Sequence, residues 1–456
     1  MRKIIILLLA SLCLLFSCDL GVGENPLAKA ASSTRIPEDF LGVIAGEVGI
    51  SSDGVDATKA DVEYDFVEYL GAKWILATFY WERIQKGANP DASSDDWDWR
   101  YYDNFVNTVH AKGFKVFAVL AYENNAVTGD SGTYISPDKY PLFANYVTQV
   151  IERYGDKIAG YSIWNEPNEI PRFWEGSPEE IIALSLTAVA AARSALAQHN
   201  PNGKLIVWPV NSLAVEDWTT GFFGGIMGNA PESLLAIDGV AYHPYMPGGQ
   251  RAADLFSAHQ SLVSQWGFDR KIWVTEAGFP TGGRYVSLVK EDNMPEEVIK
   301  TITLLAARGA AHVFWYQLFD PADKDVENSE DYFGLADYNS STNAITKKKG
   351  ADAFALCGKY IPGALYQPDL AVTGSGIQAY WFQGPEESAL ILWADTKAVG
   401  DTVPVTVTLP GTDWMRRDIV TGEGAEFLEE TIDVGKTPVF LSWKLAAKSV
   451  PSVRAP

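Results

Sequence analysis

From about Phe40 the chain repeats one pattern of apolar and polar positions. A short apolar run comes first, then a polar loop, then a stretch with apolar residues at helical spacing. The apolar runs predict strands over 41–45, 74–77, 115–120, 160–164, 204–208, 239–242, 271–275 and 311–316. Between them, Val62, Phe66 and Leu70 recur at i, i+4 and i+8, so 60–70 reads as an amphipathic helix. The segments 101–112, 140–154, 295–309 and 349–360 follow the same rule. The stretch 178–199 carries a full start signal: Ser177 as cap, Pro178 at the first helical position, and Glu179 and Glu180 in the first turn. The poorest helix follows the fifth strand, where 221–228 is rich in glycine. Eight βα units of this length predict an α/β chain closed into a (β/α)8 TIM barrel. An open, doubly wound sheet is the competing arrangement. No glycine-rich phosphate turn follows the first strand, which counts against a nucleotide-binding version.

After Pro362 the period changes. The runs 365–371, 377–382, 389–394, 403–409, 414–418 and 439–443 are strand-like, and Gly374-Ser375-Gly376, Gly384-Pro385 and Pro410-Gly411 punctuate them. A barrel domain over 37–361 is therefore followed by a small C-terminal all-β sandwich domain over 362–456. The connection at 361–365 is short. It favours a structural domain packed on the barrel over a carbohydrate-binding module.

The N-terminus reads as an address. Arg2 and Lys3 precede an apolar run over 4–16, which is short for a bilayer span and has the form of a secretory signal. The run ends in Leu15-Phe16-Ser17-Cys18, which resembles a bacterial lipobox. That resemblance implies a signal peptide over 1–17, a lipidated Cys18, and a tether over 18–36. The protein would then sit in the cell envelope, touching the membrane through its anchor only. An ordinary signal peptide cut at a nearby small residue is the alternative.

Charge narrows the partners. Asp and Glu number 58 against 36 Lys and Arg, a formal net charge of −22. Nucleic acid needs the opposite sign, so it is excluded as a partner, and a strongly anionic glycan is disfavoured. Three cysteines cannot build a disulfide framework. None of the five histidines has a partner at metal-ligand spacing, and no Gly-x-Ser-x-Gly elbow is present. Aromatic residues make up 12%, which suits sugar-stacking surfaces but equally suits a large core.

The candidate chemistry sits where apolar strands end. In a parallel barrel, catalytic side chains project from the C-terminal ends of strands. Glu166 directly follows the fourth strand in Tyr161-Ser162-Ile163-Trp164-Asn165-Glu166-Pro167, and Glu276 ends the seventh in Ile272-Trp273-Val274-Thr275-Glu276. Two carboxyls facing each other across a barrel mouth meet the needs of glycosidic cleavage. One donates a proton to the departing oxygen while the other attacks the anomeric carbon. The bland reading is that both are ordinary polar loop starts.

Trp164-Asn165-Glu166-Pro167 resembles the Asn-Glu-Pro signature of glycoside hydrolase clan A, in which the acid/base Glu ends strand four and the nucleophile Glu ends strand seven. The resemblance spans roughly 40–355 and implies Glu166 as acid/base, Glu276 as nucleophile, and Asn165 on the sugar 2-hydroxyl. It also implies that His243 and Tyr245, in Tyr242-His243-Pro244-Tyr245, contact the nucleophile or the sugar. Trp315 would form the floor beneath the cleaved sugar. Trp81 and Trp174 would line the cleft. Phe333-Gly334-Leu335 and the trailing β-domain look most like glycoside hydrolase family 39, with families 5 and 53 left open. One departure stands out: many clan members carry an Arg near the end of strand two, whereas 74–81 here contains none and Arg83 lies further on. The expected activity is retaining hydrolysis of a β-linked glycan by a monomer, with no metal or cofactor. A non-catalytic glycan-binding surface lipoprotein and a transglycosylase are the alternatives.

Overall fold

A computed structural model of the chain describes residues 33–211, 236–245, 248–265, 271–284, 289–368, 376–394, 401–408, 412–429 and 431–444, with a few isolated positions besides. The signal, Cys18 and the glycine-rich stretch after the fifth strand lie outside the described residues.

Eight parallel strands close into a barrel: β1 Leu41–Ile44, β2 Trp74–Tyr80, β3 Lys115–Ala121, β4 Ile158–Ile163, β5 Lys204–Asn211, β6 Gly239–His243, β7 Lys271–Ala277 and β8 His312–Trp315. All eight overlap the predicted runs, so the fold is the (β/α)8 barrel and not the open sheet. The helices packed around it are α1 Ala57–Tyr69, α2 Arg100–Ala111, α3 Tyr140–Tyr154, α4 Pro178–His199, α5 Gly249–Ser264, α6 Met294–Ala307 and α7 Gly350–Tyr360. The start signal of α4 forms a complete capping box between Ser177 and Glu180. This helix is long and apolar enough to cross a membrane by composition, but half of it is buried against the protein. Sequence periodicity misses α5. That helix opens on glycine and presents Ala252, Ala253 and His259 where larger apolar residues would mark a face.

Strand alternation sorts the barrel's side chains into two cores. Trp74, Leu76, Phe117, Val119, Ile206, Trp273 and Phe314 fill the interior. Gly42 and Gly160 make room for two of these rings: a Cβ at Gly42 would lie 2.4 Å from Phe314, and one at Gly160 would lie 2.6 Å from Phe117. Their strand neighbours, among them Ile75, Val116, Val274, Val313 and Trp315, face the helices instead. The interior parity carries upward from Ala241 to His243 and from Trp273 to Thr275, which aims both polar side chains at the barrel axis.

Beyond α7 the chain forms two sheets. One orders Thr34–Arg35, Leu365–Gln367, Ile377–Gln383, Glu387–Ala394, Val439–Lys444, Thr412–Arg417 and Gly424–Glu426; the other orders Val372–Thr373, Ser452–Arg454, Val403–Thr408 and Thr431–Val434. Leu390, Leu392, Val405, Val407, Ile432, Leu441 and Trp443 form the core between them. The opposite face of the first sheet, through Tyr380, Phe382, Ile391, Trp393 and Phe440, belongs to the same apolar cluster as the barrel's helices. Residues 34–36, expected at the end of a tether, belong to the fold instead. Thr34–Arg35 pairs with Leu365–Gln367, Arg35 donates to the Gly363 carbonyl at 2.9 Å, and Ile36 is buried, so the start of the described chain is a strand of the C-terminal sheet.

Candidate active site

The site forms where β4 and β7 end. Leaving β4, Trp164 and Glu166 adopt φ of 63° and 41°, the left-handed region that costs a non-glycine residue roughly 1–2 kcal/mol. Packing and hydrogen bonds hold them there. The Trp164 ring is fully buried and donates from Nε1 to the Phe173 carbonyl at 2.9 Å, and the Glu166 amide donates to the Pro209 carbonyl at 2.9 Å. Glu166 is thereby turned inward and is buried.

Glu166, His243 and Glu276 form one cluster. Each offers an atom within 4.8 Å of the other two. His243 Nδ1 lies 2.7 Å from Glu166 Oε1 and 3.6 Å from Glu276 Oε2, while Nε2 lies 2.8 Å from Thr275 Oγ1. Asn211 at the end of β5 donates from Nδ2 to Glu166 Oε2 at 3.3 Å and to Glu169 Oε1 at 2.6 Å. The Tyr245 hydroxyl donates to Glu276 Oε2. This is the only His, Cys and carboxylate group among the described residues with the spacing to hold a metal ion. The ring nitrogen that would face an ion is instead in direct hydrogen-bond contact with Glu166.

Burial pushes the Glu276 carboxyl up to about 7. The charge of Glu166 adds to that shift, and His243 and the Tyr245 hydrogen bond oppose it. Burial acts to lower the proton affinity of His243, but the charges of Glu276 and Glu166 outweigh it and raise that affinity. Burial and the Glu276 charge push the Tyr245 hydroxyl well up, so it stays a donor.

Two aromatic walls flank the carboxylates. On the Glu166 side, Tyr122 stacks on Phe173 with centroids 5.7 Å apart, and it shares a side-chain hydrogen bond with Asn165. Tyr80 lies beyond it at 6.1 Å. On the Glu276 side, Tyr245, Tyr316 and Phe333 meet edge to face at 5.3–6.1 Å. All six rings are partly exposed.

Three expected sugar contacts need correction. Trp315 is fully buried and packs on Phe279 and on Phe354 of α7; its neighbour Phe314 takes the interior side, so alternation sends Trp315 to the helices. Trp81 begins the short turn Trp81–Ile84 and is buried against Phe143 and Tyr146 of α3. Trp174 is buried against Trp164 and Tyr134. A ring with no accessible surface cannot stack on a sugar. Strand alternation at Phe314-Trp315 was the available signal, and it favours Tyr316 over Trp315. Asn211 carried no motif of its own. Arg83 lies on the turn Trp81–Ile84, with its guanidinium 4.5 Å from the Tyr101 ring centroid, and is not among the Glu276 contacts.

No family model matches the sequence. A segment of 147 residues is 24% identical to raucaffricine-O-β-D-glucosidase from Rauvolfia serpentina; it covers 32% of this chain and only 26% of that enzyme. Among solved structures, a family 39 glycoside hydrolase from Bacteroides cellulosilyticus superposes with a TM-score of 0.68 at 17% identity, over 89% of this chain and 81% of the other. An endo-β1,6-glucanase gives 0.60 at 17% identity, over 92% and 94%. A family 30 endoxylanase from Clostridium papyrosolvens gives 0.56 at 15%, over 92% and 98%. The fold is therefore that of a barrel with a C-terminal β-domain, shared with glycoside hydrolases of families 39 and 30.

Proposed function

We propose that the chain is a retaining β-glycosidase of the family 39 type, with Glu276 as nucleophile and Glu166 as acid/base. The observation that carries this reading is the pair of carboxylates, Glu166 buried and Glu276 partly buried, with oxygens within 4.8 Å of each other at the ends of β4 and β7. Double displacement needs carboxyls about 5–5.5 Å apart, whereas single displacement by water needs a gap of about 6.5–9.5 Å. In the first step Glu276 attacks the anomeric carbon, the C–O bond to the leaving group breaks, and the Glu166 carboxyl gives that oxygen its proton. Glu166 then accepts a proton from water, which displaces Glu276 and frees the sugar with its β configuration. His243 fixes the orientation of Glu166, and Tyr245 stabilises the Glu276 carboxylate. Asn165, which shares a hydrogen bond with Tyr122, would meet the 2-hydroxyl.

Azide tests the roles. Glu276→Ala with azide should yield the α-glycosyl azide, because one displacement inverts the anomeric centre. Glu166→Ala should yield the β-glycosyl azide, because azide then replaces water in the second step. Wild-type turnover in Glu276→Ala would refute the assignment.

We also propose export, cleavage before Cys18 and lipid attachment there, which places a monomer in the bacterial cell envelope. Arg2-Lys3, the apolar run 4–16 and Leu15-Phe16-Ser17-Cys18 support this. Labelled palmitate should enter the wild-type chain in cells and not Cys18→Ala. Equal labelling of both would reject the anchor.

A further inference from the structure

Whether a glycosidase cuts within a chain or at its end depends on whether its cleft is open across the barrel. The described residues contain a tie over that cleft. Strands β4 and β8 lie diametrically opposite in the closed barrel. Arg172, in the loop after β4, lies 3.5 Å from Glu330, in the turn Ser329–Tyr332 after β8. Each head belongs to one aromatic wall. The Arg172 guanidinium sits over the Phe173 ring at 4.6 Å, and Phe173 stacks on Tyr122. Glu330 shares a side-chain hydrogen bond with Tyr316, which packs on Tyr245, the donor to Glu276. Two further contacts brace the Glu330 backbone. Its amide donates to Asn328 Oδ1 at 3.2 Å, and its carbonyl accepts from Gln317 at 3.4 Å. The ion pair thus joins the two walls above the reacting carboxylates.

We propose that the Arg172–Glu330 tie biases the enzyme toward the ends of neutral β-linked chains. This rests on the glycosidase reading above. A chain end enters beneath the tie, whereas an internal segment reaches Glu166 and Glu276 only after the tie opens. Both side chains are about half exposed, at 57% and 45%, so the tie is worth at most roughly a fivefold shift in an equilibrium. It is a bias that substrate can overcome, and salt weakens it.

The test follows the products of a β-linked oligosaccharide labelled at one end, using the full chain and sampling early. Wild type should release mainly terminal sugars. Arg172→Ala, Glu330→Ala and the double variant should each raise the ratio of internal to terminal cuts about fivefold. The swapped pair Arg172→Glu/Glu330→Arg should restore the wild-type ratio. Molar salt should move wild type toward the variants and leave the double variant unchanged. An active wild type that shares its product ratio with all three variants overturns the tie alone. A wild type inert on every β-glycoside, with correct folding by circular dichroism, overturns the glycosidase reading and the tie with it.

Discussion

Two contacts between histidine and carboxylate lie at opposite ends of this barrel, and they are tuned in opposite directions. At the bottom, where strands begin, Asp39 accepts from Lys115 at 2.6 Å and Trp74 at 3.1 Å, and lies 3.3 Å from His312 Nε2. At the mouth, Glu166 and Glu276 share His243. Burial alone raises a carboxyl's pKa at either end. At the bottom, His312 and Lys115 outweigh burial and hold Asp39 well below the usual carboxylate range. At the mouth, one histidine faces two carboxyls, and Glu276 is pushed up to about 7. The ratio of cations to carboxylates decides the sign, not the residue types. One end is set for stability, and the other carries the raised carboxyl that the proposed reaction would use.

The largest test of this contrast exchanges one oxygen for nitrogen at each end. Glu276→Gln should lower kcat at least about 10⁴-fold, the scale of losing a nucleophile, while Asp39→Asn should leave kcat nearly unchanged. Stability should move the other way. Ionising Glu276, whose folded pKa exceeds its ordinary 4.5, costs folded-state stability as pH rises from there to about 7. At pH 8 the neutral amide should therefore stabilise the fold by on the order of 1–3 kcal/mol. The lowered pKa of Asp39 contributes stability that is present above its unfolded value and lost as pH falls through its folded one. Asp39→Asn should destabilise by about 1–3 kcal/mol at neutral pH. Thermal melts at pH 5 and 8 read both signs, and equal shifts at the two ends would break the comparison.

The second effect isolates proton donation. Glu166→Ala should cost roughly 10²–10⁴-fold in kcat for alkyl leaving groups and far less for a nitrophenol, which departs without a proton. A uniform loss across leaving groups would deny Glu166 the acid role.

A third effect concerns pH. Attack requires ionised Glu276, so kcat/KM should rise with pH along an acid limb near 7. His243 opposes the upward shift of Glu276, so His243→Ala should move that limb to higher pH. A limb that stays in place would show that His243 serves packing alone.

The barrel was legible because eight short apolar runs alternate with helical segments, and because Glu166 and Glu276 each follow such a run directly. Strand parity was what the aromatic assignments neglected. Trp315 follows an interior-facing Phe314, and Trp81 starts a helical turn, so both rings face outward to the helices. Asn211 was illegible for a different reason. It lies within β5, where the ladder to β6 shifts register between Val207 and Val210, and Trp208 takes a φ of 58°. No spacing rule carries through such an irregularity. The tie between Arg172 and Glu330 joins loops 158 residues apart, which no local pattern encodes.

Asn211 yields the smallest and most specific prediction. Its amide bridges Glu166 and Glu169, and its backbone and side chain also bond Asn168. On the proposed roles it touches no reacting atom and would orient Glu166. Asn211→Ala removes a donor to a buried carboxylate, a loss worth about 1–2 kcal/mol, or roughly tenfold. If that loss falls on orientation, kcat should drop while KM holds, and the drop should shrink for leaving groups that need no proton. It should not alter the azide product. At the bottom of the barrel, Lys115→Ala removes a charged donor from Asp39, yet it should change melting temperature and not turnover. Two donor losses would then be read out in different observables, as the opposite tuning of the two ends requires.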